Sequence, residues 1–317
     1  ESATITSTFD PNSNPTATSL TQDSRTLALQ RAYDALNRPE QESASVGAHP
    51  GAIPNPYAHT QRYVLDGNGN RIRITDANGK ITTQTFDAFN RITSTTTAGE
   101  GTTTNDWNKD GTLASITRSN NTATRYEYDR AKRVTSITHT KAGATTLSFV
   151  YQYDRNGNRT NEVRTQSAIN GQAGSITTTV YAYNNDDQLL STDVRHQPPS
   201  DTTPNETTAW TLDPVGNRIA EIVTRHTLAA GSVITRNKVY SYSARDQLTL
   251  MTDSVNQLRV AYSYDGNGNR VSRTVTKQGQ PPQTTTYIFD ARDRMISAQP
   301  NAPNAPRIDY VYDADGR

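Results

Sequence analysis

A short turn-forming cassette recurs along this chain, and the recurrence constrains the fold more than any other property. Its clearest copy is Tyr262-Ser263-Tyr264-Asp265-Gly266-Asn267-Gly268-Asn269-Arg270-Val271. Tyr262 and Tyr264 are two apart and therefore share one face of a strand. Asp265 closes that strand, and Gly266, Asn267, Gly268 and Asn269 tolerate the positive φ of tight turns. Arg270-Val271 opens the next alternating run, so the cassette predicts strand, hairpin turn, strand.

The residue after each aromatic or leucine strand end serves as an anchor. Anchors fall at Asp10, Asp34, Asp66, Asp87, Asn108, Asp129, Asp154, Asn184, Asp213, Ser243, Asp265, Asp290 and Asp313. Several steps are 21 to 23 residues and others are 29 or 30, a period typical of repeat architectures. The Asp66, Asp154, Asp213 and Asp265 copies are glycine-rich. The Asp87, Asp129, Asn184, Ser243 and Asp290 copies lack glycine, and from Asp129 onward the two kinds alternate. This predicts two turn geometries and a structural unit of two repeats.

Between anchors lies a second set of breaks, among them Asn78-Gly79, Asn120-Asn121, Ala142-Gly143, Asn170-Gly171, Pro198-Pro199 and Gly279. The strands are therefore expected to run antiparallel, with regular turns along one edge and loops of variable length along the other. Val260, Tyr262 and Tyr264 alternate with Arg259, Ala261 and Ser263, which gives one apolar face and one Thr/Ser/Arg face. Helix signals are nearly absent. Arg25 to Leu36 reads equally as a helix and as a strand entering the Asp34 turn. The stretch from Ser43 to Tyr57, with Pro50, Pro54 and Pro56, reads as the one long non-strand segment.

About two dozen strands at ~4.8 Å each would make a flat sheet ~110 Å wide. Open sheets rarely exceed ~10 strands without curling. The fold class is therefore all-β, a long antiparallel meander of hairpins coiled into a spiral shell or solenoid. Residues 1–62 are expected to be degenerate N-terminal repeats with a Pro-rich loop, and 63–317 a regular repeat sheet that stops mid-repeat. Both ends look cut, so the chain is expected to be a piece of a longer one.

Composition narrows the function. Only 32% of the 317 residues are hydrophobic and mean hydropathy is −0.80, low for a packed globule. Net charge is +1, so no pull on nucleic acid is implied. There is no cysteine, which removes disulfides and thiolate metal sites. No apolar run reaches the ~18 residues of a membrane-spanning helix.

At Tyr128-Asp129…Arg133-Val134, Tyr153-Asp154…Gly157-Asn158-Arg159, Tyr264-Asp265…Gly268-Asn269-Arg270-Val271 and Tyr312-Asp313…Gly316-Arg317 the sequence resembles the Rhs, or YD-repeat, family. The resemblance covers essentially the whole chain and is weakest before Tyr63. It implies a spiralling β-sheet that walls a hollow shell. Such shells enclose a toxin domain in Rhs polymorphic toxins and in toxin-complex C components, and serve adhesion in teneurins. The family's closing motif, of the Asp-Pro-x-Gly-Leu type, is only partly matched by Asp213-Pro214-Val215-Gly216, where Asn217 replaces the leucine; that stretch reads as one more turn. The positions carried forward, all structural, are Asp66, Gly69, Arg71, Asp129, Arg133, Asp154, Gly157, Arg159, Asp213, Gly216, Arg218, Tyr264, Asp265, Gly268, Arg270, Asp290, Arg294, Tyr312 and Asp313.

Catalytic, cofactor and metal sites are not expected. The Asp66 and Asp265 loops resemble the front of a calcium loop but lack an acidic closing residue; the plainer reading is an aspartate capping its own turn. The arginine after each glycine-rich loop is expected to pair with the anchor aspartate or with carbonyls of the neighbouring strand. His49, His59, His139, His196 and His226 are scattered without metal-ligand spacing. Trp107 and Trp210 read as sheet-packing rings. Three functions stand: the wall of a shell around a toxin domain outside this chain, in a secreted or surface bacterial protein; a carbohydrate or cell-surface binding module; and a subunit that assembles edge to edge into filaments. The corresponding partners are the rest of a parent chain or further copies of itself, an enclosed toxin domain, and glycans.

Overall fold

A computed structural model describes residues 4–22, 25–46, 57–168, 173–198, 204–302 and 305–312. Every regular element among them is a strand. No described helix is long and apolar enough to cross a membrane. The chain divides into two compact units. Unit 1 holds Glu1–Arg133 with Ile137–Thr145, and unit 2 holds Val134–Ser136 with Thr146–Arg317.

In unit 1 the strands are β1 (Thr4–Phe9), β2 (Pro15–Gln22), β3 (Arg25–Tyr33), β4 (Pro39–Val46), β5 (Tyr57–Leu65), β6 (Arg71–Thr75), β7 (Ile81–Phe86), β8 (Ile92–Thr97), β9 (Gly101–Trp107), β10 (Leu113–Arg118) and β11 (Thr122–Tyr128). Each pairs antiparallel with the next. Strand β12 (Val134–Lys141) contributes residues to both units. Unit 2 continues the pattern with β13 (Ala144–Tyr153), β14 (Arg159–Gln166), β15 (Ser175–Tyr183), β16 (Leu189–Gln197), β17 (Asn205–Leu212), β18 (Arg218–Thr227), β19 (Gly231–Tyr242), β20 (Leu248–Asp253), β21 (Leu258–Tyr264), β22 (Arg270–Lys277), β23 (Gln283–Phe289), β24 (Met295–Pro300) and β25 (Ile308–Asp309). Here too each strand pairs antiparallel with its sequence neighbour.

The structure decides one open reading and shortens another stretch. Arg25 to Tyr33 is strand β3, because Leu27, Leu29 and Arg31 find partners on β2 and β4. The long non-strand segment is shorter than read: Ser43–Val46 belongs to β4 and pairs with Tyr57–Thr60 of β5. Ser, Ala and Val there supply ladder hydrogen bonds, and Pro39 is tolerated as a first strand residue. Pro50, Pro54 and Pro56 lie outside the described residues, as do Asn170-Gly171, Pro199, His49, Asp313, Gly316 and Arg317.

Burial is sparse. Among the described residues the core comprises Tyr63, Val223, Val260 and Ala298, with the polar Thr124, Thr208, Glu221, Asp253 and Ser297 buried beside them. Side chains one, three and five places before an anchor share a face by the two-residue period. On β13 these are Tyr153, Tyr151 and Phe149, partly covered, whereas Val150 and Gln152 between them are exposed. The opposite face carries rows of threonine and serine with isolated exposed apolar residues such as Val180 and Val239. Each unit is thus a sheet whose covered face is built from rings, guanidinium groups and a few aliphatics.

Candidate functional site: the turn edge and the aromatic face

Every anchor described opens the same hairpin. Its backbone N–H donates to the carbonyl of the fifth turn residue, and the fourth residue's N–H donates back to the anchor carbonyl, as in Asp66 N to Asn70 O at 2.9 Å and Gly69 N to Asp66 O at 3.1 Å. The fourth residue always has positive φ: +89° at Gly69, +97° at Gly268, but also +60° at Asn90 and +59° at Asp293. The strand register shifts just before the anchor, for example between Ser263 and Tyr264. This is a type I turn closed by a bulge residue in the left-handed region. The sequence predicted two turn geometries; the structure has one, filled by two residue sets. Asparagine, aspartate and lysine enter the left-handed region in place of glycine at modest cost.

The anchor side chain caps the turn. Asp265 Oδ1 accepts the N–H groups of Asn267 (3.0 Å) and Asn269 (2.8 Å). Asp66, Asp87, Asp129, Asp213 and Asp290 do the same with their third and fifth residues. Asn184 and Ser243 substitute a neutral oxygen. At Asp154 the carboxylate holds Gly157 and Asn158. These bonds engage the oxygens that a calcium ion would need. Among the described residues no cluster of three His, Asp or Glu side chains could hold a metal ion.

The structure separates the turn arginines into two roles. In four glycine-free turns the fifth residue is an arginine that clamps the anchor: Arg38 Nε to Asp34, Arg91 to Asp87 and Arg133 to Asp129 at 2.7 Å, and Arg294 to Asp290 at 2.8 Å; Gln188 and Gln247 hold that place at Asn184 and Ser243. In glycine-rich turns the fifth residue is asparagine, and Asn70, Asn158, Asn217 and Asn269 take that clamp at 2.9–3.1 Å. Arg71, Arg159, Arg218 and Arg270 stand one place later. The expectation that they pair with the anchor is therefore corrected, because the preceding asparagine already occupies the aspartate. Their guanidinium groups lie over rings instead. Arg71 sits 3.9 Å from the Tyr63 ring centre, Arg218 4.6 Å from Trp210, Arg159 between Tyr151 (5.3 Å) and Tyr181 (5.0 Å), and Arg270 between Tyr262 (5.6 Å) and Tyr287 (5.1 Å). Such cation–π stacking covers the aromatic face.

The strand-end tyrosine has its own task. Tyr128, Tyr153, Tyr264 and Tyr312 donate to the carbonyls of Leu113 (2.9 Å), Val134 (2.7 Å), Leu248 (2.8 Å) and Met295 (2.7 Å). Trp107 Nε1 does so to Ile92 at 2.9 Å. Each acceptor opens the strand after the previous turn on the same edge. Trp210 instead donates to the buried Glu221 at 3.1 Å, which also faces Lys238 at 3.2 Å. Burial pushes the Glu221 carboxyl up, but Trp210, Lys238 and Arg236 outweigh it and hold it below its usual value. His139, His196 and His226 face Thr124, Thr177 and Thr207 at 3.1–3.3 Å. The site is a set of clamps.

Adjacent turns are also tied together. Asn68 and Asn70 both donate to Asn90 Oδ1 (3.0 and 2.8 Å), Asn156 and Asn158 to Asp187 (2.8 and 2.6 Å), and Asn267 and Asn269 to Asp293 (3.0 and 2.7 Å). Asn12 and Asn14 reach Asn37 in the same way, and Asn217 reaches Asp246. In the return direction Arg38 donates to Asp66 O at 2.7 Å and Arg245 to Gly266 O at 2.9 Å. Donor turns and acceptor turns alternate from Asp10 to Asp87 and again from Asp154 onward, with the pair at Asn108 and Asp129 as the exception. Sequence reading missed this because Ser13 stands where glycine does elsewhere; the signal was the Asn-x-Asn pair at Asn12 and Asn14.

The RHS repeat family model matches residues 66–103 and 107–146, the stretch where turns 66, 87, 108 and 129 sit. Residues 66–103 and 107–146 thus carry RHS repeats. A crystal structure of TcdB2–TccC3 without its hypervariable C-terminal region has the same fold, with a TM-score of 0.58 and 12% identity over 98% of this chain and 19% of that one. A Photorhabdus luminescens Tc holotoxin pore gives a TM-score of 0.52 with 13% identity, covering 94% of this chain and 20% of that one. The chain thus spans about a fifth of the length of the structures it resembles. A search of curated protein sequences finds no match. Within unit 2, Asp213-Pro214-Val215-Gly216 is one more turn, with Gly216 at φ +94°.

Proposed function

We propose that this RHS sheet is a length of wall in a coiled β-shell, which encloses a toxin domain encoded outside these residues in a secreted or surface bacterial protein. The observation that carries this reading is the sheet's construction. Its strength lies along the turn edge and in ring–guanidinium stacks, and it buries few residues completely. A sheet built this way can separate two spaces. The likeness to TcdB2–TccC3 supports the reading, as does the RHS match. The RHS match supports a structural rather than an enzymatic role.

The carbohydrate-binding alternative needs free aromatic faces. Trp107, Trp210, Tyr262 and Tyr287 are stacked against Arg91, Arg218 and Arg270, which weighs against it. Electron microscopy of the purified chain tests the proposal. Curved sheets or closed particles of shell curvature agree with it. Long fibres with an axial repeat would overturn it in favour of edge-to-edge assembly.

A further inference from the structure

One turn pair in unit 1 breaks the donor–acceptor rule, and breaks it on both sides. At turn 108 the third and fifth residues are Asp110 and Thr112 rather than asparagines. At its partner, turn 129, the fourth residue is Lys132, at φ +61°. The direction of the bond is reversed: Lys132 Nζ donates to the backbone carbonyl of Asp110 at 2.6 Å, which brings its ammonium into the field of the Asp110 carboxylate. Thr112 closes turn 108 locally, its N–H and hydroxyl both donating to Asp110 Oδ1 (3.0 and 2.7 Å). Elsewhere the glycine-rich turn donates and its partner accepts through Asn or Asp.

We propose that Asp110 and Lys132 form a register key, a uniquely coded turn pair that makes this hairpin reject every other partner turn in the chain. The hazard it meets is intrinsic to repeats. Hairpins of near-identical pattern can pair with the wrong neighbour, and a slip by a whole two-turn unit leaves each strand's inward and outward faces unchanged. Strand patterning alone therefore does not penalise such a slip, but turn chemistry does. Turn 66 beside turn 129 would set the amides of Asn68 and Asn70 against the Lys132 ammonium, donors facing a donor. Asn70 cannot present its oxygen without giving up its bond to Asp66 Oδ2. Turn 108 beside turn 184 would set the Asp110 carboxylate against that of Asp187, a like-charge pair. Either mismatch also strands the correct partner.

A charge-swap series on the full chain tests this. Lys132→Asp leaves two carboxylates facing each other. Asp110→Asn with Lys132→Asp rebuilds the common code, with an asparagine donor facing an aspartate acceptor. Asp110→Asn is locally benign, since Asn120 caps Thr122 in the same way through its N–H and hydroxyl (3.0 and 2.7 Å). Two readouts are taken: the melting temperature, and the fraction that regains native hydrogen-exchange protection after dilution from denaturant. Lys132→Asp is expected to lower both, the melting temperature by about 2 °C or more. The double variant is expected to regain the melting temperature but to refold in lower yield than wild type, because its code is no longer unique. A double variant that refolds like wild type would reduce the pair to an ordinary contact. An unchanged melting temperature in Lys132→Asp would show that the pair carries nothing.

Discussion

The tyrosine at a strand end makes one bond that phenylalanine cannot. Tyr264 Oη reaches the Leu248 carbonyl at 2.8 Å, and Tyr264→Phe leaves that acceptor without its donor. The expected loss is about 1 kcal/mol, seen as a melting point lower by about 2–4 °C. The interturn asparagines offer a second test at this scale. Asn156→Asp sets a carboxylate against Asp187, whereas Asn68→Asp faces the neutral Asn90. Asn156→Asp is expected to destabilise more at neutral pH, and the gap between the two variants to shrink in high salt. Titration adds a third. The Asn70 amide and the backbone hold Asp66 below the usual carboxylate value, the Arg91 guanidinium does the same for Asp87, and at Asp265 the Asn269 contacts overcome a burial effect that alone would raise it. A carboxyl depressed in the folded state stabilises above its unfolded value of ~3.9 and loses that contribution as pH falls through the folded value. Thermal stability should be flat from about pH 6 to 5 and fall below about 4. A decline that begins near neutrality would overturn this account.

At the scale of the hairpin, one backbone turn serves two residue sets, and glycine is needed where a neighbour approaches. At Gly216 an added Cβ would lie 2.4 Å from Gln188 Nε2, and Gln188 is tied through its oxygen to Asn184 at 2.7 Å. Gly79 shares the positive φ, at +78°, but faces open space. Replacing either with alanine incurs the left-handed penalty of about 1–2 kcal/mol. Gly216→Ala should cost more, because it also displaces Gln188. Denaturant unfolding of the two variants checks the order; equal losses would mean that the contact with the previous turn contributes nothing.

At the scale of the whole chain, stability is a sum over neighbouring hairpins, and the repeating unit is two turns. Deleting residues 184–212 would bring turn 154 beside turn 213, two donor turns without an acceptor. Deleting residues 184–242 would bring turn 154 beside turn 243, where Asp246 can accept from Asn156 and Asn158. The longer deletion is expected to keep cooperative unfolding and protected amides, and the shorter one to lose protection around the junction. Circular dichroism melts with hydrogen exchange distinguish them.

The sequence by itself determined the all-β meander, the turn positions and the capping role of the anchor aspartates. Each of these follows from local rules: a two-residue side-chain period, left-handed tolerance in Gly and Asn, and a carboxylate two and four residues from the N–H groups it accepts. Only the tertiary structure decided the rest. Arg91 and Arg270 look alike in sequence, yet one place of offset lets the first clamp its aspartate while it lies over Trp107, and sets the second between two tyrosine rings. Which strand-end tyrosine meets which carbonyl, and which turn donates to its neighbour, depends on side chains more than fifteen residues apart coming into register. No local pattern encodes that distance. The edge of the sheet brings them together because the strands stack ~4.8 Å apart, within reach of an asparagine amide.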